Sequence, residues 1–443
     1  VRGRGSTALA LALLAGGLAL VAGGLFASLR PGGLAALRGT SLSTSTPQPT
    51  LTEPILPPPP TGTLSPTASP PPAGVAASPT DIPAAVSTAT PLPSPEEEAA
   101  TPAPRATDTS TPRPSSPASP TLSPTPVPSP LPATPTAAPA SLYSLRERVG
   151  MGSGGQRVTA EIASLLGFGW YLDWAVRPAG FRSAAVSYTP MIRLQDGQIN
   201  PSGDALLAAV DALPGALWLI GNEPDVKWQD SVTPEAYAEA YHDLYALLKG
   251  RDPTCRVAIG GVSQPTPLRL RYLDRILEVF RRRYGQEMPV DVWNVHNFVL
   301  REERGSWGVD IPPGMGDAAG RLYEIDDHDD LELFRRQLVE FRRWMKERGQ
   351  QNKPLIVTEY GILMPNEYGF SPEAVRQFML DTFEIMRTLR DPALGYPADG
   401  GRLVQRWCWF SLQDDRYPTG DLFDPNSGRL TIVGEAFARY TAP

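Results

Sequence analysis

From Leu145 onward, short apolar runs alternate with longer stretches whose apolar positions recur three and four residues apart. The short runs suit buried strands and the longer ones amphipathic helices. Eight runs read as strands: "LRERVGM" (Leu145–Met151), "LGFGWYLDW" (Leu166–Trp174), "AAVSYTPMIRL" (Ala184–Leu194), "ALWLIGNE" (Ala216–Glu223), "RVAIGGV" (Arg256–Val262), "VDVWNVHNF" (Val290–Phe298), "PLIVTEY" (Pro354–Tyr360) and "LVQRWCWFS" (Leu403–Ser411). Helical patterns follow the third to the seventh of them: "SGDALLAAVDAL", "TPEAYAEAYHDLYALLKG", "PLRLRYLDRILEVFRRRYG", "DLELFRRQLVEFRRWMKERG" and "SPEAVRQFMLDTFEIMRTL". Thr233-Pro234 and Ser371-Pro372 each offer an N-cap followed by proline at the first helical position, and Gly250 reads as a helix stop. This alternation predicts an α/β fold over residues 142–443, a (β/α)8 TIM barrel, with a doubly wound open sheet as the alternative.

The pattern before residue 142 is different. Thr7 to Leu29 is one apolar run behind Arg2 and Arg4, long enough to cross a bilayer as a helix with its N-terminus in the cytoplasm. A cleaved signal peptide is the competing reading. The run exceeds the usual h-region and "LFASLRPGG" is a poor cleavage site, so residues 1–30 are expected to be a signal anchor. Residues 31–141 are dominated by Pro, Thr, Ser and Ala, with 29 of the chain's 50 prolines between Thr40 and Ala140. Such a segment buries too little apolar surface to offset its chain entropy and reads as a disordered, extended stalk. The expected location is therefore extracytoplasmic, anchored to the cell membrane, or secreted if the leader is cleaved.

Net charge is −7, which disfavours a nucleic-acid surface. Cys255 and Cys408, the only cysteines, sit in apolar strand-like runs and read as two buried thiols. A monomer is expected.

Candidate chemistry lies at strand ends. Glu223 closes "LWLIGNE" and Glu359 closes "PLIVTE", each after apolar residues where an ionised carboxylate is costly unless partnered or functional. In a TIM barrel, side chains at the C-terminal ends of strands face the mouth. Two carboxylates on the fourth and seventh strands, facing across it, would suit the flanking of a glycosidic bond.

"GNEPD", "VHNF", "TEYG" and "WCWFSLQDD", in that order at strand ends, resemble clan A glycoside hydrolases over nearly all of residues 145–440, closest to Asl1-like glycosyl hydrolase catalytic domains, with families 39 and 5 as neighbours. The resemblance implies a retaining β-glycoside hydrolase acting on a carbohydrate, with Glu223 as acid/base and Glu359 as nucleophile. It implies that Asn222 binds the sugar 2-hydroxyl, that His296 orients Glu359, and that Trp409 forms the floor under the sugar. Where many relatives carry His-x-Tyr, this chain has His296-Asn297-Phe298, so the nucleophile's second hydrogen bond lacks an obvious donor and Asn297 is a substitute. Trp170, Tyr171 and Trp174 read as subsite or core residues, Trp228 as a weaker subsite candidate, and Arg193 as a partner of a catalytic carboxylate or of a rim acid. A non-catalytic carbohydrate-binding or surface-display protein on a decayed barrel is the alternative function.

Other signals carry less. No cofactor is expected. "EIDDHDDLE" (Glu324–Glu332) surrounds His328 with acids but has no calcium-loop glycine and no second histidine nearby, so metal binding is not expected. "GMGSGG" (Gly150–Gly155) lacks the Lys-Ser/Thr of a phosphate loop, and no Gly-x-Ser-x-Gly elbow is present. The segment from Leu300 to Asp330 is too long for an ordinary βα turn and is expected to shape the cleft, with Trp307 and Tyr323 as possible contacts.

Overall fold

The computed structural model describes residues 141–442. The apolar run at Thr7–Leu29 and the Pro/Thr/Ser-rich stretch lie outside the described residues. Among the described residues, no helix is long and apolar enough to cross a membrane.

The strands are β1 (Val149–Gly152), β2 (Trp170–Leu172), β3 (Ser187–Tyr188), β4 (Met191–Ile192), β5 (Leu217–Ile220), β6 (Arg256–Ile259), β7 (Trp293–His296), β8 (Leu355–Glu359) and β9 (Arg406–Trp409), with a short hairpin of β10 (Phe423–Asp424) and β11 (Arg429–Leu430). β1 pairs in parallel with both β2 and β9, and β9 with β8, β8 with β7, β5 with β6 and β4 with β5. Parallel bridges Ala258↔Val292 and Val262↔Val295 join the β6 and β7 segments. β3 pairs with β2, so a single stretch of chain passes from one neighbour to the next through β3 and β4. The pairings return to their start after eight strand positions. This parallel α/β fold is consistent with a TIM barrel, whereas an open doubly wound sheet would leave two unpaired edges.

Inside the ring pack Trp170, Leu172, Met191, Leu217, Leu219, Ala258, Val292, Ile356 and Cys408. Alternate residues such as Trp218, Val257 and Trp407 face the helices, as the period-two pleat requires. Cys255 and Cys408 are both buried and free, as expected.

Both signalled helix starts are found, and a third helix begins in the same way. Pro234–Arg251, Pro267–Tyr284 and Pro372–Thr388 begin at a proline behind Thr233, Thr266 and Ser371, whose hydroxyls each accept a backbone N–H of the first turn. Gly250 does not stop its helix. The last turn runs on to Arg251, and Asp252 takes the cap.

The first three strands are shorter than expected. Leu145–Arg148 is a helical turn closed by a Ser144/Glu147 capping box, and buried Arg148 pairs with Asp399 at 2.7 Å. Leu166 ends the helix Ala160–Leu166, stopped by left-handed Gly167. The third strand divides around Thr189-Pro190, where proline brings no N–H to the ladder. No helix separates β2 from β3.

Candidate active site

Glu223 and Glu359 leave the ring at the same end. Glu359 is the last residue of β8, and Glu223 follows β5 by three residues through Gly221, which is left-handed at φ 88°. Glu223 itself is left-handed at φ 41°, costly for a residue with a Cβ, and its N–H donates to Gly261 O at 3.0 Å. An oxygen of Glu223, an oxygen of Glu359 and a ring nitrogen of His296 all lie within 4.8 Å of one another, and all three residues are buried.

His296, the last residue of β7, is placed differently from the expectation. Its Nδ1 stands 2.9 Å from Glu223 Oε1 and 3.9 Å from Glu359 Oε2, so its hydrogen bond is to the first carboxyl and not to the second. Burial lowers its pKa against the opposing charges of Glu359 and Asp225, which favours the neutral ring. The close approach requires Gly261, where a Cβ would collide with the imidazole.

The hydrogen bond to Glu359 comes from Trp174. Its indole Nε1 donates to Glu359 Oε2 at 2.7 Å. A Cβ at Gly152 would collide with that indole, so β1 leaves the space the ring fills. Asn297, the expected substitute, instead turns its side-chain amide to Phe334 O at 3.2 Å. Trp174 is thus a partner of the carboxylate as well as part of the pocket wall.

Trp409 is not at the site. Its ring is fully buried on the helix side of β9, 5.4 Å from Tyr360, and its N–H donates to Gly420 O at 2.7 Å. Alternation sends Trp407 and Trp409 outward and Cys408 into the ring; the following residue, Phe410, lines the pocket and meets Trp174 edge-on at 5.6 Å. Arg193 lines the pocket without touching either glutamate; it pairs with Asp230 at 2.7 Å and donates to Gln229 at 3.2 Å. Asn222 is buried at the wall: its N–H donates to Asp230 at 2.7 Å and its Nδ2 to Gln229 at 3.2 Å, while Oδ1 has no protein partner.

The pocket holds about 190 Å³. Trp228, Phe298, Tyr417 and Asp414 complete much of it, and the long segment after β7 contributes Leu300 and Val309, while Trp307 and Tyr323 do not line it. Trp170 and Tyr171 are buried core residues.

Burial pushes Glu223 up to about 8, helped by the nearby Asp225 charge and opposed by Arg269 and Arg193. Burial also raises Glu359, to about 7, against the opposing effects of His296 and the Trp174 N–H. The site therefore holds one carboxyl that keeps its proton near neutral pH and, beside it, one that releases a proton more readily. Such a pair can protonate one atom of a bound molecule while attacking its neighbour.

Glu223, His296 and Glu359 are also the one group among the described residues with donor atoms close enough for a metal ion. Within this group His296 Nδ1 shares a hydrogen bond with Glu223 Oε1, and Glu359 Oε2 accepts the Trp174 indole N–H. His328, in the acidic stretch, uses both ring nitrogens internally, Nδ1 with Val299 O at 2.9 Å and Nε2 with the Leu363 N–H at 3.0 Å. Sequence reading missed Asp230, Gln229 and Phe410; neither the acid nor the amide carries a local motif, and Phe410 was passed over for its neighbour.

No family model matches the chain, and no curated protein matches it. Solved structures that align with it include a GH128 (subgroup II) endo-beta-1,3-glucanase from Sorangium cellulosum, 18% identical with a TM-score of 0.45, over 66% of this chain and 97% of that one. A GH128 (subgroup III) curdlan-specific exo-beta-1,3-glucanase from Blastomyces gilchristii in complex with glucose aligns at 20% identity and a TM-score of 0.42, over 66% and 97%. A GH128 (subgroup I) endo-beta-1,3-glucanase from Amycolatopsis mediterranei in complex with laminaritriose aligns at 18% and 0.44, over 66% and 99%.

Proposed function

We propose that this chain is a retaining β-glycoside hydrolase that works by double displacement. The observation that carries the reading is that an oxygen of Glu223 and an oxygen of Glu359 lie within 4.8 Å of each other. Retaining enzymes hold their carboxyls about 5–5.5 Å apart, whereas inverting enzymes need about 6.5–9.5 Å to admit a water. In the first step Glu359 attacks the anomeric carbon, the bond to the leaving oxygen breaks, and Glu223 delivers its proton to that oxygen. In the second, Glu223 takes a proton from water as the water oxygen displaces Glu359 from the anomeric carbon. Trp174 supports the ionised form of Glu359 and His296 holds one oxygen of Glu223. Asn222, with an acceptor left unpaired, suits a sugar hydroxyl, the 2-hydroxyl by the clan A resemblance.

We also propose, from the strand-end motifs, a likeness to Asl1-like domains and, from residues 1–30, an extracytoplasmic, membrane-anchored location. The test is an activated 2-fluoro glycoside followed by peptide mass spectrometry. Sugar on the Glu359 peptide is expected; turnover of a matched substrate without such label would refute the nucleophile. Glu223→Ala should lose far more activity on sugar leaving groups than on activated aryl groups, and equal losses would refute the acid. A panel beginning with β-1,3-glucan oligosaccharides and continuing through other β-glucans, xylan, mannan and galactan supplies the substrate; sugar binding without turnover on any member would favour the non-catalytic alternative.

A further inference from the structure

Behind the turn that carries Glu223 lies a buried charge cluster that never reaches the pocket. Arg269, in the first turn of Pro267–Tyr284, is fully buried. Its Nε donates to Asp225 Oδ2 at 2.6 Å and to Ser263 Oγ at 2.7 Å, one terminal nitrogen donates to Glu302, and the other to Val309 O at 3.0 Å and Asp310 O at 3.2 Å. Asp225, two residues beyond Glu223, also accepts the Ser263 N–H and hydroxyl, the latter at 2.8 Å. Glu302 accepts the Thr266 hydroxyl at 2.5 Å and the Arg321 N–H at 2.6 Å.

One guanidinium thus joins three pieces of chain: the Glu223 turn, the segment after β6, and the long segment after β7 that supplies Leu300 and Val309 to the pocket. Burying three charges costs several kcal/mol per ion before pairing repays it, so an apolar trio of similar volume would hold a fold as well. One cation against two carboxylates also leaves excess negative charge behind Glu223.

We propose that Asp225 and Arg269 are positioning residues for the acid/base, with Arg269 fastening the Glu223 turn to the pocket wall and Asp225 holding the proton on Glu223. This rests on the reading of Glu223 as acid/base. The charged or titratable groups around Glu223 are Asp225, Asp230, Glu359, Arg193, Arg269 and His296; Asp225, two residues along the chain and buried, opposes its ionisation. Removing its charge while Arg269 stays favours the Glu223 carboxylate, so the proton leaves at lower pH.

The experiment titrates Glu223 by ¹³C NMR of glutamate-labelled protein, its signal assigned by loss in Glu223→Gln. It needs no turnover, so an inactive protein still tests the proposal. Asp225→Asn should move the titration down by about one unit, tenfold in proton affinity, and move the basic limb of kcat/KM with it. Glu302→Gln, on another arm of the same guanidinium, removes a second negative charge from the cluster, should move it the same way by less and serves if the first variant fails to fold. Arg269→Lys keeps the charge but loses the fork, and should raise KM for oligosaccharides more than it lowers kcat. An unmoved titration in folded Asp225→Asn or Glu302→Gln overturns the charge role, and an unchanged KM in folded Arg269→Lys overturns the fastening role.

Discussion

Glu223 and Glu359 differ little in chemistry but differ in surroundings. Both are buried, yet only Glu359 receives an indole N–H, and that donor favours its ionised form. Trp174→Phe should therefore raise the Glu359 pKa and carry the acid limb of the proposed activity to higher pH. A rise of one unit gives about a tenfold loss of kcat/KM on that limb with little change above it; a pH–rate profile with an unmoved acid limb would contradict the role. The same burial has a cost in stability. The unfolded chain releases the Glu223 proton near pH 4.3, while the folded chain holds it to about pH 8. Between those values the folded state binds more protons, so its stability falls as pH rises. Glu223→Gln escapes this loss and should gain on the order of a few kcal/mol over the parent by pH 8 and little at pH 4. Thermal melts at the two pH values check the sign. At this scale the sequence exposed the two glutamates, because a charge closing an apolar run is visible, but not their partners. His296 was expected at Glu359 and bonds Glu223 instead, since a one-dimensional motif does not say across which gap a strand-end side chain reaches.

Helix boundaries were legible because caps are local chemistry: Ser or Thr ahead of Pro satisfies first-turn N–H groups wherever the chain lies. Thr233→Ala should cost about 1 kcal/mol and lower Tm by a few degrees while leaving the proposed activity intact, because the helix Pro234–Arg251 starts well after Glu223. An equal loss of activity and Tm in that variant would mean that the cap also sets the Glu223 turn. Strands were less legible. Alternation puts Trp407 and Trp409 on one face and Cys408 on the other, but two faces are all that alternation defines; which one turns to the helices is decided by packing, and here the tryptophans meet Phe383 and Tyr360 on the helix side. The third strand was expected whole and is divided, because its two halves serve different neighbours.

Ring closure brings Glu223 and Glu359, 136 positions apart in the chain, to one mouth. If the pair works as proposed, the first product released should keep the anomeric configuration of the substrate, as read by ¹H NMR early in the reaction; inversion would contradict the short carboxyl spacing. Extensive dialysis against a chelator should leave turnover unchanged, since the chemistry is assigned to carboxyl groups alone. Loss of turnover restored by a divalent cation would favour the metal-binding use of Glu223, His296 and Glu359. The sequence by itself determined the strand–helix alternation, the helix starts, the two buried thiols and the pair of strand-end glutamates, because each follows from periodicity, capping or the cost of a charge in an apolar run. Tertiary structure alone decided that Phe410 and not Trp409 walls the pocket, that Trp174 serves Glu359, and that Arg269 joins the Glu223 turn to a segment some 80 residues further on. Those are matters of which elements become neighbours when the ring closes, and contacts between distant segments leave no local trace in the residues that make them.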